Sequence, residues 1–77
     1  MDIKILGTGC AKCNALEAAA RAVVTEKGLD ATVSKVEDIM EIMTYGVMIT
    51  PALVVDGKVV VKGRVPTADE LTTMITG

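Results

Sequence analysis

Residues 52–62 read ALVVDGKVVVK, two β-branched runs separated by Asp56-Gly57. A two-residue connection of this kind suits a type I′ turn, whose central residues both need positive φ, so the segment is predicted to be a β-hairpin. The hairpin supplies an antiparallel pair, and the chain before it decides which sheet that pair joins. Asp2 to Leu6, DIKIL, reads as a short strand that stops at Gly7 and Gly9. From Ala11 to Lys27 the chain is Ala-rich, with Leu16, Ala20, Val23 and Val24 at spacings of three and four, the pattern of an amphipathic helix. Gly28 fits its C′ position, and Leu29 is placed to touch Val24 as in a Schellman ending. Ala31 to Val36 follows as a second strand.

Asp38 and Glu41 have capping-box spacing, and Ile39, Ile42 and Met43 form one apolar face of a short helix ended by Gly46. Gly63 breaks the strand after the hairpin turn. Beyond Pro66, Thr67 and Glu70 repeat the capping-box spacing, and Leu71, Met74 and Ile75 mark one face of a last helix. The order is βαβαββα. A leading βαβ unit implies parallel strands joined by a right-handed crossover. With the hairpin added, the expectation is an α/β fold with a four-stranded mixed sheet and helices on both faces. No repeat, linker or low-complexity stretch interrupts it, so residues 1–77 are expected to form a single domain.

About half of the residues are hydrophobic, 51%, yet Tyr45 is the only aromatic, so the core has to pack from small aliphatic side chains. In such a core methionines fill gaps, which is the reading for Met40, Met43, Met48 and Met74. Tyr45 is read as a half-buried packing residue, and Lys62 and Arg64 as surface residues. A net charge of −2 without a basic stripe or a base-stacking platform argues against nucleic acid as a partner. No segment approaches the ~20 apolar residues of a membrane helix. The N-terminus carries no signal-peptide pattern, so a cytoplasmic protein is expected.

Both cysteines fall in residues 5–16, ILGTGCAKCNAL, as Cys10 and Cys13. Taken alone, this stretch allows half of a metal site, a structural staple or a working redox pair. The chain has no histidine, so the commonest nitrogen ligand and the commonest general base are both missing. A closed zinc site needs four ligands, and two thiols fall short of it. A staple closing so short a loop removes only about 2 kcal/mol of chain entropy, and a reducing cytosol opposes it. Redox chemistry suits the position. A sulfur at the start of a helix lies among unpaired backbone N–H groups at the positive end of the dipole, which favours the thiolate that acts as nucleophile. Cysteines three apart on a helix have Cα atoms ~5–6 Å apart, within disulfide range. Cys10, at the tip, is expected to attack a substrate disulfide. Cys13, further in and better covered, is expected to resolve the mixed disulfide. Lys12 between them is read as a solvated helix residue, with a positive charge that lowers the thiol pKa as the alternative role.

GCAKC after a first strand, TP (Thr50-Pro51) before a later strand, a DG hairpin and a closing amphipathic helix together resemble the thioredoxin/glutaredoxin superfamily. The resemblance is closest to its small single-domain redox-active disulfide proteins, and it spans nearly the whole chain. It implies a thioredoxin-like fold and a thiol–disulfide oxidoreductase that reduces protein disulfides through Cys10 and Cys13. It also implies that Pro51, otherwise an ordinary strand-opening proline, follows a cis bond and faces the cysteine pair, with Thr50 contacting substrate. No cofactor and no resident metal are implied. Disulfide-containing protein substrates and an upstream disulfide reductase are the expected partners of a monomer. The Trp-Cys-Gly-Pro-Cys of thioredoxins is replaced here by Gly9-Cys10-Ala11-Lys12-Cys13, and no first-strand acid matches their buried Asp. The alternative is a Cu(I) or other soft-metal chaperone that uses the same two thiolates. Such heavy-metal domains run βαββαβ and end in a strand.

Overall fold

The computed structural model describes residues 1–9 and 11–76; Cys10 and Gly77 lie outside the described residues. Its elements are β1 (Asp2–Leu6), α1 (Ala11–Lys27), β2 (Thr32–Val36), α2 (Ile39–Thr44), β3 (Ala52–Val55), β4 (Lys58–Lys62) and α3 (Ala68–Thr76). The βαβαββα order is the expected one. The four strands form one sheet in the order β2-β1-β3-β4. β1 pairs in parallel with β2 from Asp2↔Thr32 to Leu6↔Val36, and antiparallel with β3 from Ile3↔Val55 to Leu6↔Ala52. The sheet is mixed because the hairpin enters beside β1 in the opposite direction.

Alternation along β1 sorts the core into two layers. Ile3 and Ile5 point to one face, where they pack with Leu16, Ala20 and Val23 of α1, Leu53 of β3 and Leu71 and Ile75 of α3. Leu6 points to the other, against Ile42 of α2, Val36, Val47, Ala52 and Val54. Helices therefore cover both faces, two on one side and the short α2 on the other. The hairpin turn has φ 51° at Asp56 and 83° at Gly57, the positive pair its sequence demanded. Asp56 also ties the hairpin to the start of β1: its N–H donates to the Asp2 carbonyl at 2.7 Å, and its Oδ1 accepts from the Asp2 N–H at 2.8 Å.

β4 departs from strict alternation. Leu53 pairs with Val61 and Val54 with Val59, so Val60 is an extra residue, a β-bulge. The bulge turns both Val60 and Val61 toward the layer of α1 and α3, while Val59 faces the opposite layer.

The helix ends follow their local chemistry. α1 closes in a Schellman motif, with Leu29 N–H donating to Val24 O at 3.0 Å and Gly28 N–H to Thr25 O at 3.3 Å. At α2 Asp38 Oδ1 accepts from the Met40 N–H at 2.9 Å. The box at α3 is reciprocal: the Thr67 N–H donates to Glu70 Oε1 at 3.0 Å, and the Glu70 N–H to Thr67 Oγ1 at 3.2 Å. Arg64 adds two hydrogen bonds to the Glu70 carboxylate, at 3.0 and 3.2 Å. That pairing, with the Thr67 N–H second, holds the Glu70 carboxyl at about 2 against an ordinary 4.5. A depressed carboxyl contributes stability above its unfolded value and loses it as pH falls through the folded one. Thermal melts followed by circular dichroism should therefore show a midpoint that drops between pH 4.5 and 2 more steeply for the native chain than for Glu70→Gln. Equal slopes would show that this carboxylate is not linked to folding.

Candidate active site

β1 ends where the site begins. Gly7 is buried, and its N–H donates to the Val36 carbonyl at 3.0 Å, so the exit of β1 is fastened to the end of β2. Thr8 and Gly9 are exposed, and Gly9 takes φ 86°, in the region that favours glycine. α1 opens at Ala11, which puts Cys13 in its first turn. Cys13 is fully buried, whereas Lys12 and Asn14 on either side are exposed. Cys10, the proposed attacking thiol, lies outside the described residues.

The opposing wall is the segment from Val47 to Pro51. The Thr50–Pro51 peptide bond is cis. Pro51 is fully buried and its carbonyl accepts from the Gly63 N–H at 2.8 Å, which ties the loop to the end of β4. Gly63 has φ 80°, and a Cβ there would stand 3.1 Å from Ile49 Cγ2, so the loop lies directly on that glycine. Thr50 is exposed.

Three of the residues meet at one point. A Cβ built on Gly7 would overlap Cys13 Sγ and lie 3.9 Å from Thr50 Cβ. Gly7, at the end of β1, is thus packed against the Cys13 sulfur and lies beside Thr50 of the Pro51 loop. Gly7 did not stand out in the sequence as more than a strand breaker, because its neighbour Cys13 comes from another element.

The charge around the first turn of α1 is ordered. That turn contains no acidic residue, and Lys12 is exposed within it. The nearest carboxylate along the helix, Glu17, is held by Arg21 at 3.0 Å and Lys35 at 3.7 Å. Lys35 also reaches Glu37 at 3.2 Å and donates to Asn14 Oδ1 at 3.4 Å, which ties β2 to the first turns of α1. Its ammonium is pushed up from the ordinary value by the Glu37 hydrogen bond first and then by the charge of Glu17. On the α2 face, Lys4 donates to the Tyr45 hydroxyl at 3.3 Å, and that contact leads the causes that raise its pKa. Tyr45 is half-buried and packs on the α2 layer, the role expected of it.

Beside the loop lies a groove of about 300 Å³ lined by Thr8, Ile39, Ile42, Met43, Val47, Met48 and Thr50. It corrects the methionine reading. Met74 packs on the core, but Met40, Met43 and Met48 are 73%, 58% and 93% exposed, and Ile39 and Ile49 are 61% and 59% exposed. The six-residue α2 is too short to bury a full stripe. Only Ile42 reaches the core, which leaves Ile39 and Met43 on the groove. The signal for this surface was Val47-Met48-Ile49, an apolar run placed in a loop before Pro51. Among the described residues no helix is long and apolar enough to cross a membrane.

A family model described as "Thioredoxin domain" matches residues 1–76. The chain is 42% identical over 71 residues to a thioredoxin of Methanothermobacter thermautotrophicus, a span of 92% of each chain. It is 39% identical over 69 residues to a thioredoxin of Methanocaldococcus jannaschii, covering 90% of this chain and 79% of that one. The mixed four-stranded sheet with helices on both faces is accordingly a thioredoxin-like fold, and the soft-metal alternative draws no support from the element order or from these matches. The chain belongs to the thioredoxin family.

Proposed function

We propose that this thioredoxin-type redox protein reduces disulfides in proteins by cycling Cys10 and Cys13 between dithiol and disulfide. The Cys10 thiolate attacks one sulfur of the substrate disulfide and joins it, and the other substrate sulfur leaves with the electron pair and takes up a proton. Cys13, as thiolate, then attacks Cys10 Sγ. The Cys10–Cys13 bond forms, the mixed disulfide breaks, and the second substrate sulfur leaves as a thiol. Two electrons pass from the pair to the substrate, and an upstream disulfide reductase returns them.

The observation that carries this reading is the buried Cys13 sulfur in the first turn of α1, packed against Gly7, which itself lies beside Thr50. A covered second thiol does not react with bulk oxidants or solvent-borne partners, but it is available to a disulfide formed three residues earlier. The absence of acidic residues in that turn supports thiolate chemistry there, since a nearby carboxylate would raise the cost of a second negative charge. Thr50, exposed at the loop, is the residue whose backbone meets extended substrate. The groove between α2 and the loop receives apolar side chains flanking the substrate cysteine. The protein acts in the cytoplasm as a monomeric single domain.

Replacing Cys10 by Ser should reduce turnover of a protein disulfide to the uncatalysed rate, measured as thiol release from a reporter protein. Cys13→Ser should instead accumulate a mixed disulfide at Cys10, visible as a mass adduct removed by dithiothreitol. Wild-type activity in Cys10→Ser would sink the assignment. The groove is tested separately. Met48→Asp replaces a docking methyl thioether by a charge and should raise KM for a protein substrate about tenfold, a fraction of the 1.5–3 kcal/mol of a buried methionine. It should leave reaction with a small aromatic disulfide unchanged; equal effects on both would mean the change acts on the thiols.

A further inference from the structure

Gly7 holds a place that no side chain fits. The other glycines that permit a special backbone, such as Gly9, Gly28 and Gly57, have positive φ and open space where a Cβ would be. Gly7 is the reverse: its φ is outside the positive region, but a Cβ would overlap Cys13 Sγ and stand 2.9 Å from Cys13 Cβ. Its φ therefore does not call for glycine. What it excludes is bulk, and the atom it makes room for is the Cys13 sulfur.

We propose that Gly7 is the positioning residue for Cys13, setting the depth and direction from which its sulfur attacks Cys10. The inference rests on the reading of Cys13 as the resolving thiol. Resolution needs the Cys13 thiolate in line with the mixed disulfide, so that the new Cys10–Cys13 bond forms as the bond to the substrate sulfur breaks. The departing substrate sulfur carries away the electron pair and is protonated. Bringing the reacting atoms into such a geometry dominates the rate of an intramolecular step.

With a methyl group on Gly7, something has to move. The β1 backbone is held on one side by its ladder with β2 and by the Gly7–Val36 hydrogen bond, and on the other by β3. Rotation about the Cα–Cβ bond moves the Cys13 sulfur but not its Cβ, which a Gly7 methyl would approach to 2.9 Å, so the sulfur is displaced together with the first turn of α1. Resolution is the step in which the Cys13 sulfur itself reacts, so release of product takes the larger effect.

The test is single-turnover kinetics of reduced Gly7→Ala with a protein disulfide, quenched in acid and read by mass. The mixed disulfide at Cys10 should form with a rate changed far less than its resolution, which slows by about a hundredfold, the scale expected for a displacement near 1 Å. Resolution at the native rate overturns the proposal. A stability cycle with Cys13→Ala gives a second readout. Removing Sγ should recover most of the cost of Gly7→Ala, and a single variant that fails to fold while the double variant folds shows the same coupling. Additive costs, or a double variant that also fails, overturn the proposal. Cys13→Ser in the native Gly7 background separates the premises. If that variant resolves its mixed disulfide as fast as the native chain, the role of Cys13 is wrong. If it traps the adduct while Gly7→Ala resolves normally, only the role of Gly7 is wrong.

Discussion

β1 is hydrogen-bonded along both edges and covered on both faces, and the rest of the molecule is arranged by that double burial. Its parallel pairing with β2 requires a crossover, which α1 makes, and its antiparallel pairing with β3 sets the direction of the hairpin. Ile3 and Ile5 call for the layer of α1 and α3, and Leu6 for the layer that includes α2. Where β1 ends, Gly7 lets the first turn of α1 come close enough for Cys13 to be fully covered. The candidate site is therefore the place where the central strand hands over to its helix.

A core with one aromatic has consequences at the surface. Among the described residues the buried hydrophobic core is Ile, Leu, Val and Ala with Cys13, and the methionines of α2 and the following loop are not part of it. Those side chains stand outside with Ile39 and Ile49, and Ile39, Met43 and Met48 line the groove with Thr8 and Thr50. Thioether side chains adapt to differently shaped neighbours, a property suited to the disulfide-bearing protein substrates proposed for this chain.

Much of the fold was legible in the sequence. The Asp56-Gly57 turn, the Gly28 helix ending and the Thr67/Glu70 box each depend on a few adjacent residues, and each was read with its geometry. β2 began one residue later than expected, at Thr32 instead of Ala31. Features that join distant parts of the chain were not legible. The bulge at Val60 follows from which layer Val61 must enter, and the Arg64–Glu70 pair depends on the bend after β4. Periodicity placed Ile39 and Met43 on one face of α2 but could not show that the helix covers too little of the sheet to bury them. In the candidate site, Cys10 and Cys13 stood out through their spacing, and Thr50 and Pro51 through a family resemblance. Gly7 did not, since its role arises only when the first turn of α1 is packed on β1.

The central claim is a dithiol that closes on itself within one chain. It is tested most directly by equilibrating the protein over a series of dithiothreitol redox buffers, trapping free thiols with a maleimide, and mapping the products by mass. The account predicts one two-electron transition between a doubly modified chain and an unmodified chain containing a Cys10–Cys13 disulfide. A chain that keeps both thiols modifiable under oxidising buffers, or that oxidises only by joining to a second copy, would contradict it.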